Sequence, residues 1–273
     1  MAIEKSERVR ALDVARGIAM LLVCVAHFFD MYALQGIPPD TWYLPIVSLV
    51  CRVATPTFVL VSGIVLGYQV TVRGGLTAGL RAHLLDRALF VATVGHALIA
   101  LAYTPQWGYA RAFGVGYVTD TIAFCVIGGL FIVPATSAFT RLGIGSALLV
   151  GSLIGWQFWT PVEPILLLVK SVLLGPIVGY DTSYFFPLLP WLGWYLIGSV
   201  LGSLLGRETA LTESRLATRL VMIAAGMIVT ALAAKGGISH FVISLDRVWF
   251  PWTSLFQKYP PGPMYLLMMG GTA

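Results

Sequence analysis

The sequence predicts an all-α, polytopic membrane protein built as a bundle of transmembrane helices. Three observations lead to this fold class: 58% of the 273 residues are hydrophobic, only 11% are charged, and the mean hydropathy is +0.86. Soluble domains carry about 25% charged residues, so a chain this poor in charge is typical of a protein solvated mostly by lipid. We expect a single domain over residues 1–273, because no internal repeat, linker or low-complexity segment interrupts it.

Seven apolar windows are long enough to cross a bilayer, which takes about 20 residues in a helix. They lie at 11–34, 43–71, 86–104, 118–136, 142–160, 183–205 and 217–235. An eighth begins at Pro263 and runs for eleven residues to Ala273. We therefore expect seven full spans and a partial eighth, in a domain that is incomplete at its C-terminus.

The distribution of basic residues predicts a cytoplasmic N-terminus. If the windows alternate across the membrane, ten of the 17 Lys and Arg residues lie on the side of the N-terminus, namely Lys5, Arg8, Arg10, Arg73, Arg81, Arg87, Arg141, Arg207, Arg215 and Arg219. The opposite side has five (Arg111, Lys170, Lys235, Arg247 and Lys258), and Arg16 and Arg52, which lie well inside the first two windows, are not counted. Cytoplasmic loops carry the excess of Lys and Arg, which places the N-terminus in the cytoplasm.

This count holds only if the apolar segment 161–180 does not cross the membrane. The segment contains Lys170 in its middle, with Pro164 and Pro176 near its ends. We expect it to form a re-entrant or interfacial segment on the outer side.

Charge and cysteine patterns argue against several other classes of protein. The formal net charge is +5, but the basic residues are scattered through short loops, so we expect no nucleic-acid partner. The three cysteines lie in apolar runs, and the sequence has no metal-ligand spacing such as CxxC or HExxH. We expect neither a disulfide framework nor a metal site.

Two ionisable residues in the first window share one helix face. Arg16 and His27 are eleven residues apart, which in a helix is three turns plus roughly 20° and about 16 Å along the axis. Ionisable groups inside a membrane helix are costly and usually face protein or a water-filled cavity. A cation near one membrane surface, with a proton-transfer group deeper on the same line, predicts a reaction path through the bilayer.

A carboxylate lies one turn from each of these residues. Asp13 is three residues before Arg16, and Asp30 is three after His27, so each pair can meet on one helix face. A carboxylate beside a histidine fixes its tautomer and stabilises the protonated ring, as a general base requires. The alternatives are that Asp13 and Arg16 mark only the membrane boundary and that His27 is a structural residue between helices.

Four further residues are candidates for contacting substrate or lining a cavity: Arg52, Ser62, Asp120 and Asp181. Arg52, in the outer third of the second window, either holds a polar group or snorkels to the interface. Ser62 forms a small-residue patch with Gly63, which favours close helix packing over a nucleophilic serine. Asp120 opens the fourth window and either faces the cavity or caps the helix. Asp181 belongs to an outer polar loop, which suits sugar recognition or is an ordinary connection.

The remaining histidines and tryptophans have plainer interpretations. His96 is expected to be a hydrogen-bonded packing residue, and His83 and His240 lie in predicted loops without an assigned role. The tryptophans of the fifth and sixth windows are interpreted as an interfacial aromatic belt in preference to carbohydrate stacking. They are Trp156, Trp159, Trp191 and Trp194.

The run from Arg10 to Met20, followed by His27, resembles the first-helix signature of membrane acyltransferases. These include the acyltransferase-3 family and the heparan-alpha-glucosaminide N-acetyltransferase-like proteins, in which an Arg or Lys, ten residues and a His recur. Three further stretches resemble the bacterial members of the second group more closely: 54–63, 186–193 and 258–261. This resemblance implies a bacterial-type inner membrane as the location. The similarity covers essentially the whole chain.

The resemblance implies transfer of an acyl group, usually acetyl, from cytoplasmic acetyl-CoA to an amine or hydroxyl of a sugar or glycan across the membrane. Acetyl-CoA would be a co-substrate, with no permanently bound cofactor. The partners would be membrane lipid, the acyl donor and a glycan acceptor. A homodimer is compatible with this interpretation. His27 and Asp30 would then be catalytic, and Arg16 and Asp13 would bind the donor. The rival hypothesis is a secondary transporter or flippase without transferase chemistry.

Overall fold

The computed structural model describes residues 10–28, 43, 47, 52–176, 184, 186–207, 213–241 and 261–271, except for the side chains of 10, 11, 26–28, 213, 214, 216, 217, 220 and 236–241. The helices are α1 Arg10–Phe28, α2 Ala54–Val72, α3 Ala78–Phe90, α4 His96–Trp107, α5 Tyr109–Gly114, α6 Val118–Ala135, α7 Ala138–Phe158, α8 Pro164–Leu174, α9 Leu188–Arg207, α10 Glu213–Phe241 and α11 Pro263–Gly271. A π-helical turn, Val91–Gly95, joins α3 to α4. No strand occurs among these residues, which confirms the all-α fold class.

Five helices in the described part of the chain are long and apolar enough to cross a membrane. They are α2, the continuous 30-residue helix Ala78–Trp107, α6, α7 and α9. The first and seventh predicted windows coincide with α1 and α10, which have 19 and 29 residues. An all-helical bundle with five candidate membrane-spanning helices among the described residues is therefore confirmed, while the total of seven spans and the cytoplasmic N-terminus stay predictions.

Helices α2 and α9 pack against each other at the centre of the bundle. Gly63 and Gly67 of α2 lie directly against the backbone of Tyr195 and Ser199, so that a Cβ atom at either glycine would overlap a carbonyl oxygen. Glycines spaced four apart let the backbones of two membrane helices approach this closely. The close approach predicted for the Ser62–Gly63 patch is confirmed at Gly63.

The sequence-based interpretation of Trp191 and Trp194 as interfacial is wrong. Their exposed fractions are 0% and 2%, and Trp194 Nε1 donates a hydrogen bond to the Pro56 carbonyl across the α2–α9 contact (3.1 Å). This face of α9 is turned toward protein, and the Trp194 N–H has its partner there. Trp159, by contrast, is partly exposed.

The window boundaries place Arg141 in a loop, but the structure places it inside α7. Ser137 caps α7 by accepting from the Thr140 N–H (3.1 Å), so the helix begins before the apolar window does. Arg141 is only 5% exposed, and its Nη1 and Nη2 donate to the side chains of Ser199 and Ser203 at 3.1 and 2.9 Å. The buried guanidinium therefore ties α7 to α9.

Arg52 lies two residues before α2 begins. The helix begins at Ala54 because Pro56, which lacks an N–H, is tolerated only in the first turn. The Arg52 carbonyl accepts a hydrogen bond from the Tyr265 hydroxyl at 3.1 Å, which links the start of α2 to α11.

The segment predicted to stay on one side of the membrane contains a short helix. α8 has 11 residues, or about 16 Å at 1.5 Å per residue, against an apolar bilayer thickness of about 30 Å. Lys170 is buried, and its ammonium donates to the Trp159 carbonyl at the C-terminal end of α7. Burial lowers the pKa of Lys170, while a cation at a helix C-terminus is favourable.

We expect single cysteines introduced at positions 161 and 182 of a cysteine-free chain to react with an impermeant thiol reagent from the outer side. The reason is the excess of Lys and Arg on the cytoplasmic side, which is lost if the segment 161–180 crosses the membrane. Labelling of intact cells and of inverted vesicles measures the side. Reaction of the two positions from opposite sides would invert the predicted topology beyond α7.

Candidate active site

A cavity of about 480 Å³ lies between α1, α2, α3, α6 and α9. Most of its lining is apolar, including Phe58, Leu84 and Val126. The polar and charged residues that line it are Arg16, Ser62, Gln69, His83, Asp86, Arg87 and Tyr195. Apolar walls with a few polar groups are typical of small-molecule sites.

Helix α1 contributes Arg16. Its guanidinium carbon lies 6.0 Å from the centroid of the Phe58 ring of α2, a cation–π contact that holds the side chain against the cavity wall. α1 is one uninterrupted helix from Arg10 to Phe28, so Arg16 and His27 belong to the same helix. Asp13 is exposed and does not belong to the cavity lining.

Helix α2 contributes Ser62 and Gln69, which are two turns apart and therefore lie on one face. Gln69 Oε1 is buried and has no hydrogen-bond partner among the described residues. A buried carbonyl oxygen without a donor costs free energy, which a bound N–H or O–H group would recover.

Helix α3 contributes His83, Asp86 and Arg87, whose spacing of three and four residues places them on one face. α3 begins after Thr77, whose hydroxyl accepts a hydrogen bond from the Leu80 N–H (3.3 Å). His83 therefore lies in a helix and not in a loop. The lining carries a net positive charge, because it has the guanidinium groups of Arg16 and Arg87 and only one carboxylate, that of Asp86.

His96 and Asp120 pair beyond one end of this cavity. His96 Nδ1 lies 3.0 Å from each carboxylate oxygen of Asp120, and Nε2 lies 3.3 Å from the Phe113 carbonyl. The Tyr117 N–H donates to Asp120 Oδ2 (2.7 Å), so the carboxylate also caps α6. Burial, together with the nearby Tyr103 and Asp120, raises the pKa of Tyr117 to about 12, and its hydroxyl donates to the Ala112 carbonyl.

The sequence model of the family described as "Heparan-alpha-glucosaminide N-acetyltransferase, catalytic" matches residues 8–229, which is most of the 273-residue chain. The chain belongs to the heparan-alpha-glucosaminide N-acetyltransferase family. No curated protein and no solved structure gives a significant match. As a member of this family, the protein is an integral membrane protein of an acetyltransferase class.

Of the residues predicted from the sequence, the fold of this heparan-alpha-glucosaminide N-acetyltransferase family member brings Arg16 and Ser62 to one cavity. Asp120 lies outside its lining, and Arg52 lies ahead of α2. The His27 side chain, Asp30 and Asp181 fall outside the described part of the chain. Their assigned roles stay predictions.

Sequence reasoning missed the contribution of α3 to the cavity. Arg87 was expected only to mark topology, and His83 only to lie in a loop. The signal that finds them is Thr77, a favoured N-cap residue, after which a helix begins eight residues before the apolar window at 86. Because of this extension, residues that the sequence assigned to a polar loop form one wall of the candidate site.

Proposed function

We propose that the protein is an integral membrane acyltransferase that moves an acetyl group from cytoplasmic acetyl-CoA to an amine or hydroxyl of a sugar or glycan on the outer side of the membrane. The observation that carries the proposal is the cavity that joins Arg16 to Arg87 and His83. Family membership supports the reaction class. The mixed charged and apolar lining supports a donor with a charged and a less polar part.

The acyl donor fits this lining by its chemistry. Its phosphates would bind Arg16 and Arg87, since guanidinium groups form charge-assisted and often bidentate hydrogen bonds with phosphate. Its less polar arm would lie along apolar residues such as Leu84 and Val126. The volume of about 480 Å³ falls within the roughly 300–1,000 Å³ range of small-molecule sites.

The acyl transfer step breaks the C–S bond of the thioester and forms a C–N or C–O bond, while the proton of the acceptor ends on the departing thiol. His27 takes that proton as a general base, or first accepts the acetyl group itself and then passes it on. Asp30, one turn further along the chain, would hold the tautomer of His27. Either route uses a histidine about 16 Å along α1 from Arg16.

We expect Arg16→Ala and Arg87→Ala each to raise the KM for acetyl-CoA by roughly 10- to 100-fold, with a smaller change in kcat. A hydrogen bond to a charged group contributes about 1.5–3 kcal/mol, and each 1.4 kcal/mol corresponds to about a tenfold change in affinity. A contact made equally in the ground and transition states changes KM and not kcat. Arg16→Lys should recover only part of the loss, because an ammonium lacks the planar fork. Steady-state kinetics of the purified protein measure both constants.

Arg73→Ala is the matched control, because Arg73 is exposed at the end of α2 and does not line the cavity. An unchanged KM for acetyl-CoA in Arg16→Ala, with Arg16→Ala and Asp13→Ala equally lowering protein abundance, would reduce Arg16 to a structural role. Substrate flux in proteoliposomes without acetyl-CoA consumption would instead favour the transporter or flippase hypothesis.

A further inference from the structure

We propose that His96 and Asp120 form the acceptor end of the site, where an amine- or hydroxyl-bearing sugar is bound for transfer. This inference rests on the proposed function, because an acceptor end has meaning only in a transferase. It assigns a binding role to a pair of residues that lies outside the donor cavity.

The register of two neighbouring helices separates this pair from the basic residues. Arg81 Nη2 of α3 donates to the Leu130 carbonyl near the C-terminal end of α6 (3.5 Å), whereas His96 contacts Asp120 at the N-terminal end of α6. The two helices therefore run antiparallel. The nine residues from Arg87 to His96 correspond to roughly 14 Å of helix axis.

Along α6, the cavity lies between these two contacts. Its lining includes α3 residues from Leu80 onward and ends at Val91, and on α6 it runs from Ile122 to Val126. Val91 begins the π-helical turn that leads into His96, and Ile122 is two residues beyond Asp120. The pair thus adjoins the cavity at the end opposite the Arg81 contact. A donor whose phosphates bind Arg87, nine residues before His96, leaves the His96 side for the second substrate.

The Nδ1 side of the His96–Asp120 pair is held by hydrogen bonds, whereas the Nε2 side of His96 is accessible to solvent. The Asp120 carboxylate is oriented by the Tyr117 N–H and holds a proton on His96 Nδ1. The Nε2 contact to the Phe113 carbonyl, at 3.3 Å, lies just beyond the usual range of about 2.7–3.2 Å and faces solvent. The side chains of His96 and Asp120 are 21% and 17% exposed. The oxygen of a sugar hydroxyl, or the nitrogen of a sugar amine, can therefore replace the Phe113 carbonyl at Nε2.

The surroundings of the pair match the chemistry of a sugar. The ring of Phe113 lies 6.4 Å from that of His96 and is exposed, which offers an apolar face next to the polar pair. Tyr184 packs against Gly116, and burial followed by the charge of Asp120 raises the pKa of its phenol, so that it stays a neutral hydrogen-bond donor. A carboxylate, an imidazole and a phenol beside aromatic surface can bind hydroxyl and amine groups, and an ammonium form is attracted by Asp120.

The test uses the purified full-length chain in lipid nanodiscs, with glucosamine as the acceptor probe and acetyl-CoA as the donor. His96→Gln and Asp120→Asn should each raise the KM for glucosamine at least tenfold and change the KM for acetyl-CoA less than twofold. Arg16→Ala should give the opposite split. Tyr109→Phe removes an exposed hydroxyl from the preceding loop helix α5 and is the control, with both constants unchanged.

Equal increases of both KM values, or a lower melting temperature without the acceptor-specific effect, would overturn the proposal, because a purely structural cap predicts them. Saturation-transfer NMR with glucosamine gives an independent reading. A signal that is present in the wild type and lost in His96→Gln supports the acceptor end. A signal that persists in His96→Gln, or the absence of a signal in the wild type, refutes it. Failure of the proposed function is distinguishable, since it appears as acetyl-CoA that is neither bound nor consumed.

Discussion

Replacing His27 by Ala is expected to lower kcat for acetyl transfer by about 10²- to 10⁴-fold, the range typical for loss of a general base. The physical reason is the continuity of α1, which carries Arg16 in the cavity wall and His27 eleven residues later on nearly the same face. Loss of an acyl-accepting imidazole would have at least as large an effect. The amount of protein in the membrane should stay nearly unchanged.

The measurement is the initial rate of acetyl transfer at saturating acetyl-CoA, normalised to the amount of folded protein. Cys24→Ala is the matched control, because Cys24 is an exposed residue of the same helix. It should keep the wild-type rate. A His27→Ala protein that retains more than about a tenth of that rate contradicts the assigned role.

The second large effect is expected for Gly202→Leu, which should prevent assembly of the bundle. A Cβ atom at Gly202 would overlap the Ile64 carbonyl and lie 2.8 Å from the Tyr68 nitrogen. These are backbone atoms of α2, which cannot rotate away as a side chain can. Separation of α2 from α9 would cost at least the roughly 1–3 kcal/mol of ordinary overpacking and would also break the contacts made across this interface.

Size-exclusion chromatography in mild detergent, together with the yield of membrane-inserted protein, measures this effect. Gly151→Leu is the control, because Gly151 is an exposed helical glycine of α7 with no atom within 4 Å of the added Cβ. The control should elute as the wild type does. Normal elution of Gly202→Leu would mean that the close α2–α9 contact is not required for the folded state.

Local chemistry explains which features could be predicted from the sequence. Low charge and long apolar windows predict membrane helices because insertion depends on the residues of each segment. The shared face of Arg16 and His27 follows from helix geometry alone, and α1 contains both. The short segment that contains α8 follows in the same way from Pro164 and Pro176 near its ends.

The candidate site could not be predicted in this way, because it depends on contacts between helices that no single segment of the sequence specifies. Arg87 and His83 face the same cavity as Arg16 only because α3 starts before the apolar window and packs beside α6. The pairing of His96 with Asp120 joins residues 24 positions apart and requires the antiparallel register of two helices. Such contacts become visible only once the helices have neighbours.

By itself the sequence determined the all-α membrane fold class, the signature helix with its Arg and His, and the family that they resemble. Only the tertiary structure decided that Trp194 and Arg141 are buried between helices and that Arg16 shares a cavity with Arg87. The physical reason is that lipid tails are as apolar as a protein core, so apolar residues cover both the lipid-facing and the protein-facing sides of a membrane helix. Which side meets another helix is set by packing, at glycines such as Gly63 and Gly202, and not by hydrophobicity.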